Sequence, residues 1–253
     1  INAVKEIRNL TSDNVKLGGM SSMVLDTMNL SNEEIVIYII IAVILCIAVL
    51  EFSLDSYMVP ILLLANIGIA ILINMGTNVF LGEISYITKA LVAVLQLGVT
   101  TDFSIFLYNS YEKKKALYNS KEEAMANAII ETFTSVIGSS LTTIAGFLVL
   151  CTMSLTLGKD LGIVMAKGVL IGLISTLLLF PALLLTFDKL IDKTKHKKIN
   201  LVFDKLNHFI VKNYKVIFII FVLLIVPAYL AYSKVDVYYK MDKTLPDTLE
   251  SIS

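Results

Sequence analysis

Residues 161–187 read LGIVMAKGVLIGLISTLLLFPALLLTF. One ionisable side chain, Lys167, interrupts this run of apolar and small residues. A helix needs about 20 such residues to cross a hydrocarbon core of about 30 Å. The segment therefore reads as a membrane span. Backbone amides in lipid must be satisfied within the segment, which makes the span helical, and the period-2 alternation of a barrel strand is absent.

Working outward, five more segments come close to this length: 35–50, 57–75, 86–108, 129–153 and 214–232. The first is short unless Phe52 and Leu54 extend it. The composition agrees with six spans. Of 253 residues, 57% are hydrophobic and 17% charged, with a mean hydropathy of +0.80. One small soluble core cannot hide that much apolar surface, and disordered chains are poor in such residues. Lys plus Arg and Asp plus Glu both number 21, so there is no global basic field to hold nucleic acid. Cys46 and Cys151 each sit in an apolar run and offer neither a disulfide framework nor a CxxC metal knuckle.

The lysines orient the spans. Twelve of them fall in two connections, Lys113, Lys114, Lys115 and Lys121 in the first and the other eight between Asp188 and Lys215. The positive-inside rule makes these loops cytoplasmic and puts both ends of the chain outside the cell membrane. The connection 51–56, with two acids and no lysine, is placed inside by span parity alone.

Residues 1–33 read as the end of an extracytoplasmic domain. Ala3, Val4, Ile7 and Leu10 have helical spacing, 15–20 reads as a short strand, and 21–30 as a second helix. Residues 34–187 form a five-helix membrane core. In the linker 188–212, Leu201, Val202, Leu206, Phe209 and Ile210 share a helical face opposite Lys205 and Asn207, as in a helix lying along the inner surface. Residues 213–233 are the sixth span, and 234–253 begin another extracytoplasmic segment, with a strand at 235–239 and a turn at 243–247. Opening on Ile1 and closing just after a polar segment begins, the sequence reads as a piece of a longer protein.

Ionisable groups inside a bilayer cost at least about 2.5 kcal/mol and are functional candidates by default. Asp102 and Lys167 qualify. A carboxylate taken from water has its pKa raised toward neutrality, where it can exchange protons. Asp102 is thus placed to couple a proton gradient to a conformational change, the alternative being a structural acceptor held by nearby hydroxyls. Lys167 either snorkels to the headgroups or reaches Asp102 through a relay. On the next span Ser135, Ser139, Thr142 and Gly146 share a face, with Gly138 and Thr143 beside them, so a small hydroxyl-lined surface is available. Gly168 and Gly172 make a GxxxG match that reads as ordinary helix packing, and Asn66, Ala70 and Asn74 form a stripe suited to interhelical hydrogen bonds.

No P-loop is present, and His196 and His208 have no carboxylate or cysteine at metal-ligand spacing. Neither ATP-driven, metal-dependent nor Ser-His-Asp chemistry has a foothold. The reading is of a protein that is not an enzyme, with no cofactor and no metal, and with protons as the coupling ion.

Taken in order, Gly98-Val-Thr-Thr-Asp-Phe-Ser-Ile-Phe-Leu107, Glu123-Ala124 with Ala128, Ser139-Ser-Leu-Thr-Thr-Ile-Ala-Gly-Phe147, Leu157-Gly158, Leu161-Gly162 and Phe180-Pro-Ala-Leu-Leu184 resemble the MMPL branch of the resistance-nodulation-division (RND) transporters. The resemblance implies an all-α polytopic membrane protein whose six transmembrane helices are helices two to seven of twelve, flanked by small parts of α/β extracytoplasmic porter domains. It also implies export of a lipid or hydrophobic compound in exchange for protons. Its partners would be membrane lipids, the substrate and the second half of the same polypeptide, with accessory envelope proteins as further candidates. The family's Asp-aromatic pair falls on Asp102 and Phe103, where the usual Tyr is replaced, and Ser139, Thr142 or Thr143 could supply the missing hydroxyl. Lys167 departs from the small apolar residue usual near that place. Relatives with the same helical core include sterol-sensing domains and protein translocase subunits, so a membrane-embedded lipid sensor or translocase partner is the alternative function.

Overall fold

The computed structural model describes residues 2–10, 18–196, 204–232 and 234–235. Nine α-helices occur among them: α1 (Asn2–Leu10), α2 (Met20–Ser53), α3 (Met58–Gly76), α4 (Tyr86–Lys115), α5 (Lys121–Leu150), α6 (Thr156–Thr186), α7 (Asp188–Lys193), α8 (Asp204–Lys212) and α9 (Tyr214–Tyr232). A 3₁₀ turn, Thr77–Leu81, follows α3 and stops at Gly82, whose φ of 82° is left-handed. Helices α2 to α6 and α9 are long and apolar enough to span a bilayer, so the protein is an all-α polytopic membrane protein.

The helices outrun the apolar segments that announce them. α4 continues through Lys113, Lys114 and Lys115, and α5 begins at Lys121, leaving only 116–120 as the connection. Hydropathy marks where lipid covers a helix, whereas backbone hydrogen bonds continue into water wherever capping allows. Ser120 caps α5 by accepting from the Glu123 N–H at 3.4 Å, and Ser85 caps α4 by accepting from Ile87 N–H at 3.3 Å. Residues 21–30 are not a separate helix; they are the first turns of α2. Of the strand expected at 15–20, residues 15–17 lie outside the described residues, and Met20 is helical. The strand at 235–239 past Val235, the turn at 243–247, and Leu201 and Val202 of the amphipathic face lie outside them too.

The chain divides into two compact units, residues 28–198 and residues 1–27 with 199–253. In the first, α6 is the central helix, packed against α3, α4 and α5. Its small residues make this possible. A Cβ added at Gly168 would strike the side chains of Asn74 and Gln96, and one at Gly172 would strike Thr100. Three apolar layers fill the bundle: Leu63, Leu107, Tyr111, Phe180 and Leu184 at the lysine-rich end, Phe103, Val136, Val169 and Leu173 in the middle, and Val92, Val164 and Met165 at the other end.

Polar contacts key α4 onto α6 in one register. Gln96 Nε2 donates to the Gly168 carbonyl at 3.1 Å, Thr100 abuts Gly172, and Ser104 shares a hydrogen bond with Thr176 at 3.2 Å. Each contact lies four residues beyond the last on both helices. Asn74 Nδ2 adds a bond to Gln96 Oε1 at 2.8 Å, and Ser175 Oγ donates to Asn66 Oδ1 at 2.7 Å, so the asparagine stripe binds α3 to its neighbours. The GxxxG face is thereby occupied within this chain.

At the lysine-rich end the segment after α7 is clasped to the α2–α3 connection. His196 N–H donates to the Asp55 carbonyl at 2.9 Å, Ser56 and Lys195 form an antiparallel bridge, and the Tyr57 ring lies 4.4 Å from that of His196. That connection, on which the charge rule was silent, therefore shares an end with the lysines.

In the other unit, α8 adjoins α9. α9 buries none of its residues. A helix apolar on all sides with no protein cover is suited to lipid or to other membrane helices.

Candidate functional site

α4 and α5 are joined by the short connection 116–120 and run antiparallel. Ser110 Oγ donates to Glu131 Oε2 at 3.1 Å and fixes their register. Moving four residues at a time away from that bond, Phe106 comes opposite Ser135, and Asp102 opposite Ser139. These four, with Phe103 and Thr143, line a cavity of about 500 Å³ between the two helices. It is open along one side, and Asp102 is exposed within it.

Phe103 does two things here. It lines the cavity, and at 7% exposure it is also packed between Val136, Val169 and Leu173. The ring therefore locks the turn of α4 that carries Asp102 against α5 and α6. With no hydroxyl, it contributes packing and no proton.

Two of the α5 hydroxyls on the cavity have committed their protons to their own helix. Ser139 Oγ donates to the Val136 carbonyl at 3.1 Å, and Thr143 Oγ1 to the Ser139 carbonyl at 2.9 Å. In this arrangement they present lone pairs to the cavity. Such groups accept from a protonated carboxyl more readily than they stabilise a carboxylate.

Thr142 donates to the Ser139 carbonyl at 2.8 Å, is exposed, and does not line the cavity. Lys167 is also elsewhere. Its ammonium donates to the Asn74 carbonyl at 3.0 Å, to Thr77 Oγ1 at 3.0 Å and to Asn78 Oδ1 at 2.5 Å. There it caps the C-terminal end of α3, where the helix dipole favours a cation. By the α4–α6 register, Lys167 lies level with position 95, seven residues from Asp102, or about 10 Å along the axis. The structure brings Asp102, Phe103, Ser139 and Thr143 together and places Thr142 and Lys167 outside the group.

Gln96, Thr100, Ser104 and Thr176, all buried, escaped the sequence reading, as did Phe106, Ser110 and Glu131 on the groove. A signal for the groove existed. Glu131, Ser135, Ser139 and Thr143 recur at four, so the polar stripe of α5 starts one turn before Ser135.

A sequence model of the MMPL family matches residues 1–215. The Streptomyces coelicolor membrane protein ActII-3 is 36% identical over 102 residues, 40% of this chain and 14% of that protein. The Mycobacterium leprae protein named "Probable transport protein MmpL4" is 27% identical over 171 residues, 66% of this chain and 18% of the relative. The siderophore exporter MmpL5 of Mycobacterium tuberculosis is 24% identical over 193 residues, 73% and 20% respectively. The chain thus spans no more than about a fifth of the length of these relatives. With six spanning helices, the motif order of the bundle and a family match over most of its length, the chain belongs to the MMPL family of RND-type membrane proteins.

Proposed function

We propose that this chain is the first-half membrane core of a proton-driven exporter of a lipid or other hydrophobic or amphiphilic compound. The observation that supports this reading most is Asp102 in a groove of about 500 Å³ where the Ser139 and Thr143 hydroxyls offer acceptors to a protonated carboxyl. The names of the relatives, a transport protein and a siderophore exporter, support transport as the activity and export as its direction. The lysine-rich end faces the cytoplasm, and the open side of the groove receives the second half of the polypeptide. Protonation of Asp102 replaces a charge that must be solvated by a neutral group that the α5 hydroxyls can hold, which changes the stability of whatever packs across the groove.

The test is proton flux through the full-length protein in liposomes under an imposed pH gradient, comparing wild type with Asp102→Asn. The reading requires flux in the wild type that disappears in the variant. Equal flux in both, or none in either with candidate lipids present, overturns it and shifts the weight to a lipid-sensing domain.

A further inference from the structure

The cavity around Asp102 stops at Phe106 and Ser135. One turn further toward the lysine-rich end, the same groove holds a second carboxylate. Glu131 lies four residues from Ser135 on α5 and is bound from across the groove by Ser110 at 3.1 Å and Lys114 at 2.9 Å. Asp102, Phe106, Ser110 and Lys114 follow one another at four on α4, and Thr143, Ser139, Ser135 and Glu131 do so on α5. Two carboxylates thus mark two heights of one groove, with an aromatic ring between them.

Three other acids near this end are engaged elsewhere. Glu112 is paired with Lys195, while Asp188 and Asp192 are paired with Lys115. Glu131 alone among these carboxylates shares a groove with Asp102. Its side chain is 56% exposed. An ion pair so open to solvent is weak and screened by salt, so Glu131 can leave Lys114 at little cost. Lys113 and Lys114 are the cations around it, and Ser110 is the hydroxyl facing it.

We infer that Glu131 is the proton portal of the groove, exchanging protons between solvent at the lysine-rich end and Asp102, with Ser110 and Lys114 as its latch and Phe106 as an apolar wall beside the path between the two carboxylates. A proton taken by Glu131 from hydronium or buffer passes by water and the Ser135 hydroxyl to Asp102, and Glu131 returns to the carboxylate bound by Lys114. Charge and protons balance with no other reactant. The inference rests on the assignment of Asp102 as the proton-coupling group.

Its test uses the full-length protein in liposomes, with proton flux measured in wild type, Glu131→Gln, Glu131→Asp and Asp102→Asn. Each is assayed at low and high concentrations of a non-permeant buffer. Glu131→Gln is expected to lower flux at neutral pH about tenfold, the smaller end of the gain that local charge gives to ion delivery. High buffer should restore it, while Glu131→Asp keeps flux within about twofold of wild type. Full flux in Glu131→Gln alongside none in Asp102→Asn overturns the portal and leaves the role of Asp102 standing. So does a loss in Glu131→Gln that neither buffer nor the Asp variant repairs, because that pattern belongs to a structural ion pair. Undiminished flux in Asp102→Asn overturns the underlying assignment, and the portal with it.

Discussion

The Lys167 ammonium stands 2.5 Å from the side-chain oxygen of Asn78, and it holds the end of α3 together through this and two further acceptors. Replacing it with Met leaves those acceptors without their donor inside the bundle. The expected loss is about 1–3 kcal/mol of stability, seen as a lower melting temperature in detergent, with an unaltered pH profile of proton flux. An unchanged melting temperature would show that the cap contributes nothing, and an altered pH profile would return Lys167 to the proton path.

Gly172 admits no side chain while Thr100 keeps its methyl group. Gly172→Ala should destabilise the bundle by about 1–3 kcal/mol, the usual range for overpacking. Thr100→Ser removes the methyl that a Cβ would strike. Adding it to Gly172→Ala should recover most of the loss, so the two changes are non-additive in a thermal-melt double-mutant cycle. Additive losses would mean that the helices separate locally and do not clash.

Gln96 bridges Asn74 and the Gly168 carbonyl with no exposure to solvent. Gln96→Leu strands one N–H of the buried Asn74 amide, which keeps the Val164 carbonyl at 3.3 Å, and is expected to cost about 1–3 kcal/mol. Asn74→Leu in the same chain removes that stranded group. The double variant should then melt no lower than the sum of the single losses predicts, and closer to wild type than Gln96→Leu if the leucines pack.

The charged network at the lysine-rich end carries a pH signature. Burial by itself would raise the Asp192 carboxyl, but Lys115 and Lys195 hold it below its usual value. Burial would likewise lower the Lys195 ammonium, yet Glu112 and Asp192 hold it above its ordinary value. Asp192 therefore stabilises the fold above its unfolded value of about 3.9, and this is lost as pH falls through its lower folded value. Lys195 contributes fully below its unfolded value of about 10.4, and its share is lost as pH rises through the higher folded value. With Asp192 47% and Lys195 37% exposed, solvent screening keeps each contribution below about 1 kcal/mol. Melting curves of Asp192→Asn should match wild type at acid pH and fall below it between about pH 5 and 9. Coincidence across that range would show the network to be energetically silent.

The spans were legible because lipid demands a run of apolar residues, and the run over 214–232 coincides with a helix end to end. Helix length was not, since the polar turns at 21–30, 109–115 and 121–128 belong to helices for reasons of capping and tertiary packing that hydropathy does not register. Asp102 with Ser139 and Thr143 could be read from helical spacing, and the groove between α4 and α5 joins them. The surroundings of Lys167 could not be read. They depend on the end of α3 and the 3₁₀ turn after it, more than 80 residues earlier in the chain, whose Asn74 carbonyl, Thr77 hydroxyl and Asn78 side-chain oxygen meet Lys167 only in the folded bundle. Gln96, Thr100 and Ser104 were passed over because each looks like an isolated polar residue until α6 supplies Gly168, Gly172 and Thr176 at the same interval.

That repeated interval makes α4 and α6 behave like a toothed rack meshed at three heights, with Tyr111 and Lys115 pinned to Asp188 beyond the last tooth. A meshed helix cannot roll about its own axis without disengaging every tooth at once. Under the role proposed for Asp102, the strain of a change in its charge is therefore not absorbed by rotation of the helix that bears it. It is delivered sideways, into the open groove and to whatever membrane helices lie against it.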